Sequence, residues 1–212
     1  MVTQREIPDW DPSSPAPGGL EFVRQFANTL DCYRYRDDLA DIGHADARMR
    51  RIDPDAYDLF LPPRPHPMQL DDLIKLRSAR AALRATLGCM TRWTLPATSS
   101  YSSKTLPPPE LSETEPPEFS SPCSLELSDN GVQFVPDGGW ANALTSWLSL
   151  ELLVGTRTGE VARLKVCANP ECQWVFWDAS RPGTGRWCSM RLCGGQAKAR
   201  RYREKRGDST HG

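Results

Sequence analysis

Four cysteines fall in two matched pairs in the last quarter of the chain. Cys167 and Cys172 enclose four residues, fifteen more lead to Cys188, and Cys188 and Cys193 again enclose four. Two such knuckles can present four thiolates to one ion. Zinc suits that donor set, because sulfurs at about 2.3 Å close a tetrahedral cage without any demand on d-electron geometry. Structural zinc supplies roughly 10–16 kcal/mol of apparent binding energy in finger peptides, more than the few apolar residues of a short segment provide. The segment is therefore expected to unfold when its metal is removed. The competing use of four cysteines is a pair of disulfides in a small secreted scaffold. The chain starts with acids, prolines and serines in place of a secretory signal, and Cys32, Cys89 and Cys123 make the cysteine total odd. A thioredoxin-type pair would want two residues between its thiols and a flanking βαβ pattern, and the chain has neither.

Positive charge gathers around the same cysteines. Eleven Lys or Arg and three acids lie between Arg163 and Arg206, whereas the remainder of the chain carries fifteen bases against twenty-four acids. That asymmetry is the footprint of a polyanion-binding part attached to an acidic body. A helix is expected from Gln196 to Arg206, where Lys198, Arg200, Arg201, Arg203, Lys205 and Arg206 leave only Ala197, Ala199 and Tyr202 for packing. Such a helix suits phosphate, and Arg181, Arg186 and Arg191 extend the positive surface from the knuckles. Arg200, Arg201 and Arg203 are the candidates for base readout, since arginine is the commonest reader of guanine. A solvated basic helix is the plainer use of the same residues.

The run Cys167-Ala-Asn-Pro-Glu-Cys172-Gln-Trp-Val-Phe-Trp-Asp178, followed by Ser180-Arg181, Arg186-Trp-Cys188-Ser-Met190 and Cys193-Gly-Gly-Gln-Ala-Lys-Ala-Arg-Arg-Tyr202, resembles the CGNR zinc finger. In bacteria that finger ends proteins with an ABATE-type N-terminal domain, described as stress-induced transcription regulators. The resemblance implies Zn2+ held by Cys167, Cys172, Cys188 and Cys193, double-stranded DNA as partner, and a cytoplasmic, nucleoid-associated place. Phe26-Ala-Asn28-Thr29-Leu30 also resembles the Asn-Thr element in the first helix of ABATE-type domains. Asn28 is thus a candidate ligand contact, although hydrogen bonding inside a helical core is the commoner role for such a residue. Two departures concern the nucleic-acid contacts. The name-giving Cys-Gly-Asn-Arg reads Cys193-Gly194-Gly195-Gln196, and Gly185 stands where a second Arg usually precedes Arg186.

These residues need a body to position them. The chain of 212 residues is long enough for one ordinary domain plus a small module. The expected class is α+β: a mainly helical N-terminal domain with a small β-hairpin, then a zinc-ribbon-like module ending in the basic helix. The expected units are a flexible leader over 1–18, an ABATE-like domain over 19–160 with a proline-rich loop at 94–122, the finger over 163–206, and a tail over 207–212. Apolar periodicity starts at Leu20 and predicts a helix to about Tyr35, and 37–51 is polar and ambiguous. His44, alone among charges, reads as a surface residue. Pro62 to Pro67 is a stiff connector.

A second helix is expected from about Gln69 to Cys89, on which Arg77, Arg80 and Arg84 line one side, either solvated or holding an anionic ligand. Cys123 to Leu127 and Val132 to Val135 flank Asp129-Asn130-Gly131, a strong hairpin signal. A third helix from Trp140 carries two tryptophans on one stripe and is expected to stop at Gly155. The short connection that follows implies a finger docked on the body.

No run of the chain is apolar for the length of a membrane span. The resulting expectation is a DNA-binding regulator whose helical domain senses a small molecule or a protein effector, with a homodimer as a reasonable assembly. An RNA-binding variant and a zinc-stabilised interaction adaptor are the alternatives. Catalysis is not expected, because a four-cysteine cage leaves no open coordination position.

Overall fold

The computed structural model describes residues 14–52, 68–92, 119–129 and 131–207. The leader up to residue 13, the proline connector and the loop at 93–118 lie outside the described residues. Among the described residues the architecture is α+β: a helical body, three separate two-stranded antiparallel sheets, and a four-cysteine module in the C-terminal region.

Helix α1 spans Leu20–Ala27 and buries Leu20, Phe22, Val23 and Phe26. It ends eight residues before the expected Tyr35. Asn28 caps it, with its N–H on the Arg24 carbonyl, and Thr29 Oγ1 turns back to donate to the Phe26 carbonyl at 2.8 Å. The chain then forms a small hairpin, β1 Leu30–Asp31 and β2 Arg36–Asp37, turning through Tyr35 at φ 54°. The polar stretch that follows is helical: α2 spans Ile42–Ile52 and buries Ala45, Met49 and Ile52. His44 is exposed, as expected, with Nδ1 2.7 Å from Asp41. The end of the leader is packed, since Ala16 is buried, its N–H donates to Glu21 Oε2, and Ser14 bridges to Trp177.

Helix α3 spans Leu70–Arg92. Its buried stripe runs through Leu73, Leu76, Arg80, Leu83, Arg84 and Leu87, while Leu70 and Ile74 face outward. Arg80 and Arg84 are therefore neither solvated nor open to an anion, whereas Arg77 stays exposed. Arg80 pairs with Asp37, Arg84 donates to the carbonyls of Ala27 and Gln173, and Arg77 donates to those of Leu39 and Ala40. A guanidinium can sit on a core-facing stripe when carbonyls and a carboxylate satisfy its fork.

The hairpin forms where expected, as β3 Cys123–Ser128 paired with β4 Gly131–Pro136. Phe134 packs against the main core, whereas Leu125, Leu127 and Val132 are exposed. Helix α4 spans Trp140–Thr158. Both of its tryptophans are buried, with the Trp147 ring 4.8 Å from that of Phe22. Gly155 does not end it. A Cβ there would stand 3.0 Å from Leu20 Cδ2, so this glycine admits a close helix contact, and Gly159, at φ 78°, provides the left-handed stop.

Candidate metal centre

A single 3-10 turn, Glu160–Arg163, leads from α4 into β5 Leu164–Val166, which pairs with β6 Val175–Trp177. Strand alternation then divides the module. Leu164, Val166, Val175 and Trp177 pack with the main core, whereas Trp174 and Phe176 pack with the four cysteines and Trp187. Trp177 thus belongs to the body although it lies between the two knuckles in sequence.

The first knuckle is set by backbone. Cys167 N–H donates to the Trp174 carbonyl at 2.8 Å, and the Asn169 carbonyl accepts from the N–H groups of Cys172 and Gln173 at 2.9 and 3.0 Å. Gln173 takes a left-handed φ of 50° to bring the chain round. In the second knuckle, Ser189 caps a π-helical turn over Met190–Gly194, with Oγ accepting from Leu192 N–H at 3.3 Å. Ala168 N–H donates to the Arg186 carbonyl at 2.8 Å and ties one knuckle to the other. Helix α5, Gly195–Gly207, then leaves the cage.

Cys167, Cys172, Cys188 and Cys193 are all buried, and their sulfurs lie within 4.8 Å of one another. Cys172 and Cys188 sulfurs are 3.6 Å apart, and those of Cys188 and Cys193 are 3.7 Å apart. A tetrahedron with zinc–sulfur bonds of about 2.3 Å has edges of about 3.8 Å, whereas a disulfide would bring a pair to about 2.05 Å. The four thiols are free and at the spacing of a metal cage. Hydrogen bonds among the four sulfurs pull Cys167 and Cys193 down and push Cys172 and Cys188 up. Zinc bound there would fix all four as thiolates and cross-link the knuckles.

Groups around the cage complete it. Asn169 Nδ2 is 3.6 Å from Cys193 Sγ and also donates to Gln196 Oε1 at 3.0 Å. The turn between the knuckles is organised by Asp178. Its carboxylate accepts from Ser180 N–H and Oγ, from Gly185 N–H at 2.6 Å and from Lys165 Nζ at 2.8 Å. Burial works against ionisation there, yet Lys165, Ser180 and the Gly185 N–H together hold its pKa down at about 2. A Cβ on Gly185 would lie 2.8 Å from the Asp178 carboxyl carbon, so a side chain at this position would displace the carboxylate. Asn169 and Lys165 escaped sequence reading. Asp178 followed two residues later by serine and then by a glycine turn was the available sign of such a carboxylate-centred loop.

The body holds the module through Asn28. Its Nδ2 donates to the Val175 carbonyl at 2.7 Å and its Oδ1 accepts from Val175 N–H at 2.8 Å. Both ends of the amide are used, so Asn28 is a structural clamp and not an open ligand contact.

The sequence-derived basic residues lie mostly at the surface. Arg181, Arg186, Arg191, Lys198, Arg201 and Arg203 are exposed, and Arg200 is half-buried. Arg186 lies 5.7 Å from the centre of the Trp187 ring. The side chains of Lys205 and Arg206 lie outside the described residues. Gln196, at the position of the family Arg, points inward to Asn169, with Nε2 3.4 Å from the Tyr33 hydroxyl. Among the described residues no helix is long and apolar enough to cross a membrane.

No curated protein matches the chain. Residues 163–206 match the family model of the CGNR zinc finger, in agreement with a cage whose four buried thiols fit zinc.

Proposed function

We propose that the protein is a zinc-dependent, DNA-binding transcription regulator in which the cage anchors α5 and its basic flank as the DNA-contacting surface. The N-terminal body is read as an ABATE-type domain that answers to a small-molecule or protein effector. The observation that carries this proposal is the exposure of Arg181, Arg186, Arg191, Lys198, Arg201 and Arg203 on a module whose cysteines are all buried. Cations gathered on one module, outside an otherwise acidic chain, favour a polyanion. Phosphate contacts would come from most of these residues, and base readout from Arg200, Arg201 or Arg203. The cytoplasm, at the nucleoid, is the corresponding place, and two-fold assembly would suit paired half-sites.

If about five phosphates are neutralised, the logarithm of duplex affinity falls against the logarithm of salt with a slope of about −4 to −5. Anisotropy titrations of random duplex against salt, with and without chelator, measure it. A slope near zero, or no binding at low salt, contradicts the proposal.

One observation favours a second reading, an interaction adaptor. Gln196 is occupied by Asn169 and Tyr33, so the name-giving position of the finger serves internal docking here. An adaptor would retain a protein partner on co-purification and leave duplex unshifted. Catalysis is not part of either reading, because four protein thiolates fill the coordination sphere of zinc.

A further inference from the structure

Three arginines are buried in the described structure: Arg24, Arg80 and Arg84. Arg24 pairs with Glu21 at 2.6 Å and Arg80 with Asp37. Among the described residues the fork of Arg84 hydrogen-bonds only to neutral groups. Its Nη1 donates to the carbonyls of Ala27 at 2.8 Å and Leu30 at 3.4 Å, and its Nη2 donates to the Gln173 carbonyl at 3.0 Å and faces Cys32 Sγ at 3.7 Å. The acid nearest in sequence to these anchors, Asp31, is already paired with Arg34 at 2.8 Å. Carbonyls satisfy the N–H groups but do not neutralise the charge, and a desolvated cation without a counter-ion is costly.

The first knuckle of the metal centre lies against the same fork. Gln173 is the residue after Cys172, so the bond from Arg84 to its carbonyl places the guanidinium beside the first knuckle. A zinc ion with four thiolates carries a formal double negative charge, and such a site is itself hard to bury alone. Desolvation lowers the Arg84 pKa, and Cys32, Cys172 and Asp31 oppose that effect while Arg80 adds to it.

We propose that Arg84 is the counter-charge of the zinc-loaded cage: the helical body contributes a buried guanidinium to the metal centre of the finger, and zinc occupancy in turn stabilises the body around α3. By linkage, whatever Arg84 adds to zinc affinity, zinc returns to the body as stability. Arg84 acts through its field and through the Gln173 carbonyl, as a positioning residue outside the ligand set. This assignment rests on the zinc cage alone and is independent of what the basic residues bind.

The test compares the full chain with its Arg84→Gln and Arg84→Lys variants. Zinc affinity is measured by competition with a chromophoric chelator, and thermal unfolding is followed in the zinc-loaded and chelated states. Partners that support a metal site from outside its ligand set change affinity by about 10–100-fold, so Arg84→Gln should weaken zinc by at least about tenfold. Arg84→Lys, which keeps the charge, should stay within about threefold of the parent. Arg84→Gln should also destabilise the zinc-loaded chain more than the chelated one. Equal zinc affinity in all three chains overturns the proposal, as does equal weakening by Gln and Lys, which would assign the role to the hydrogen-bonding fork. Should Arg84→Gln not fold, hydrogen exchange of the parent chain decides. Zinc removal must then raise exchange over residues 27–32 and 80–88 as well as over 163–206, and a rise confined to the finger overturns the assignment.

Discussion

The β3–β4 hairpin and the β5–β6 hairpin have opposite standing in this molecule. The first has six residues in each strand and a clear turn signal, yet Leu125, Leu127 and Val132 remain exposed on it. The second has three residues in each strand and only Asn169-Pro170 in its connection as a turn signal, yet Val175 and Phe176 are buried on its opposite faces. Local pairing made the longer hairpin legible, while the shorter one exists because two cores need it. Val175 closes the body and Phe176 closes the cage, so β6 is where hydrophobic burial and metal binding meet. A short strand can therefore matter more to the fold than a long one, because burial and not ladder length sets its contribution.

The comparison breaks most severely if the metal is removed. Chelation, or Cys188→Ser, should unfold the 163–206 module, since roughly 10–16 kcal/mol of apparent binding energy is lost. Near-UV circular dichroism of Trp174 and Trp187 with and without chelator reads that loss, while the body should keep most of its helical signal. Next in size is Asn28→Ala, which leaves both the N–H and the carbonyl of buried Val175 without partners. At about 1–3 kcal/mol for each orphaned group, the cost is about 2–6 kcal/mol by denaturant unfolding. An effect below about 1 kcal/mol would show that the clamp on the short hairpin is dispensable.

Asp178→Asn should cost about 1–3 kcal/mol at neutral pH by weakening the loop between the knuckles. The sign of its pH dependence follows from a folded pKa lowered to about 2 from an ordinary 3.8. The advantage of the ionised group is complete above the unfolded pKa and is lost as pH falls through that value toward the folded one. Between pH 7 and 5 the difference in urea midpoint between parent and variant should therefore stay constant, and a narrowing already in that range would contradict the assignment. The smallest effect belongs to the long hairpin: Leu127→Thr, on a residue 85% exposed, should change stability by no more than about 0.5 kcal/mol.

What could be read from the chain alone divides along the same line. The cage, the β3–β4 hairpin and the basic helix are written in local spacing, because their residues act on near neighbours. Asn28 and Arg84 are not, since they meet Val175 and Gln173 at separations of 147 and 89 residues. The arginines of α3 read as a solvated or anion-holding face because charge ordinarily marks the outside, whereas for Arg84 carbonyls from α1, β1 and the first knuckle accept its N–H groups inside. Gly155 reads as a stop because glycine often ends helices, and its role is to admit Leu20. Helix α1 ends early for the same kind of reason, as Asn28 leaves the helix to pair with a strand far along the chain. Zinc as cofactor was legible. The way the body encloses it was not.

The central claim is one metal ion held by Cys167, Cys172, Cys188 and Cys193 in a cage built into the body. Native mass spectrometry of the purified chain tests it most directly. The account requires one zinc per chain, lost on acid denaturation and absent from Cys188→Ser. A metal-free chain of native charge state, or one lighter by the hydrogens of two disulfides, would contradict it.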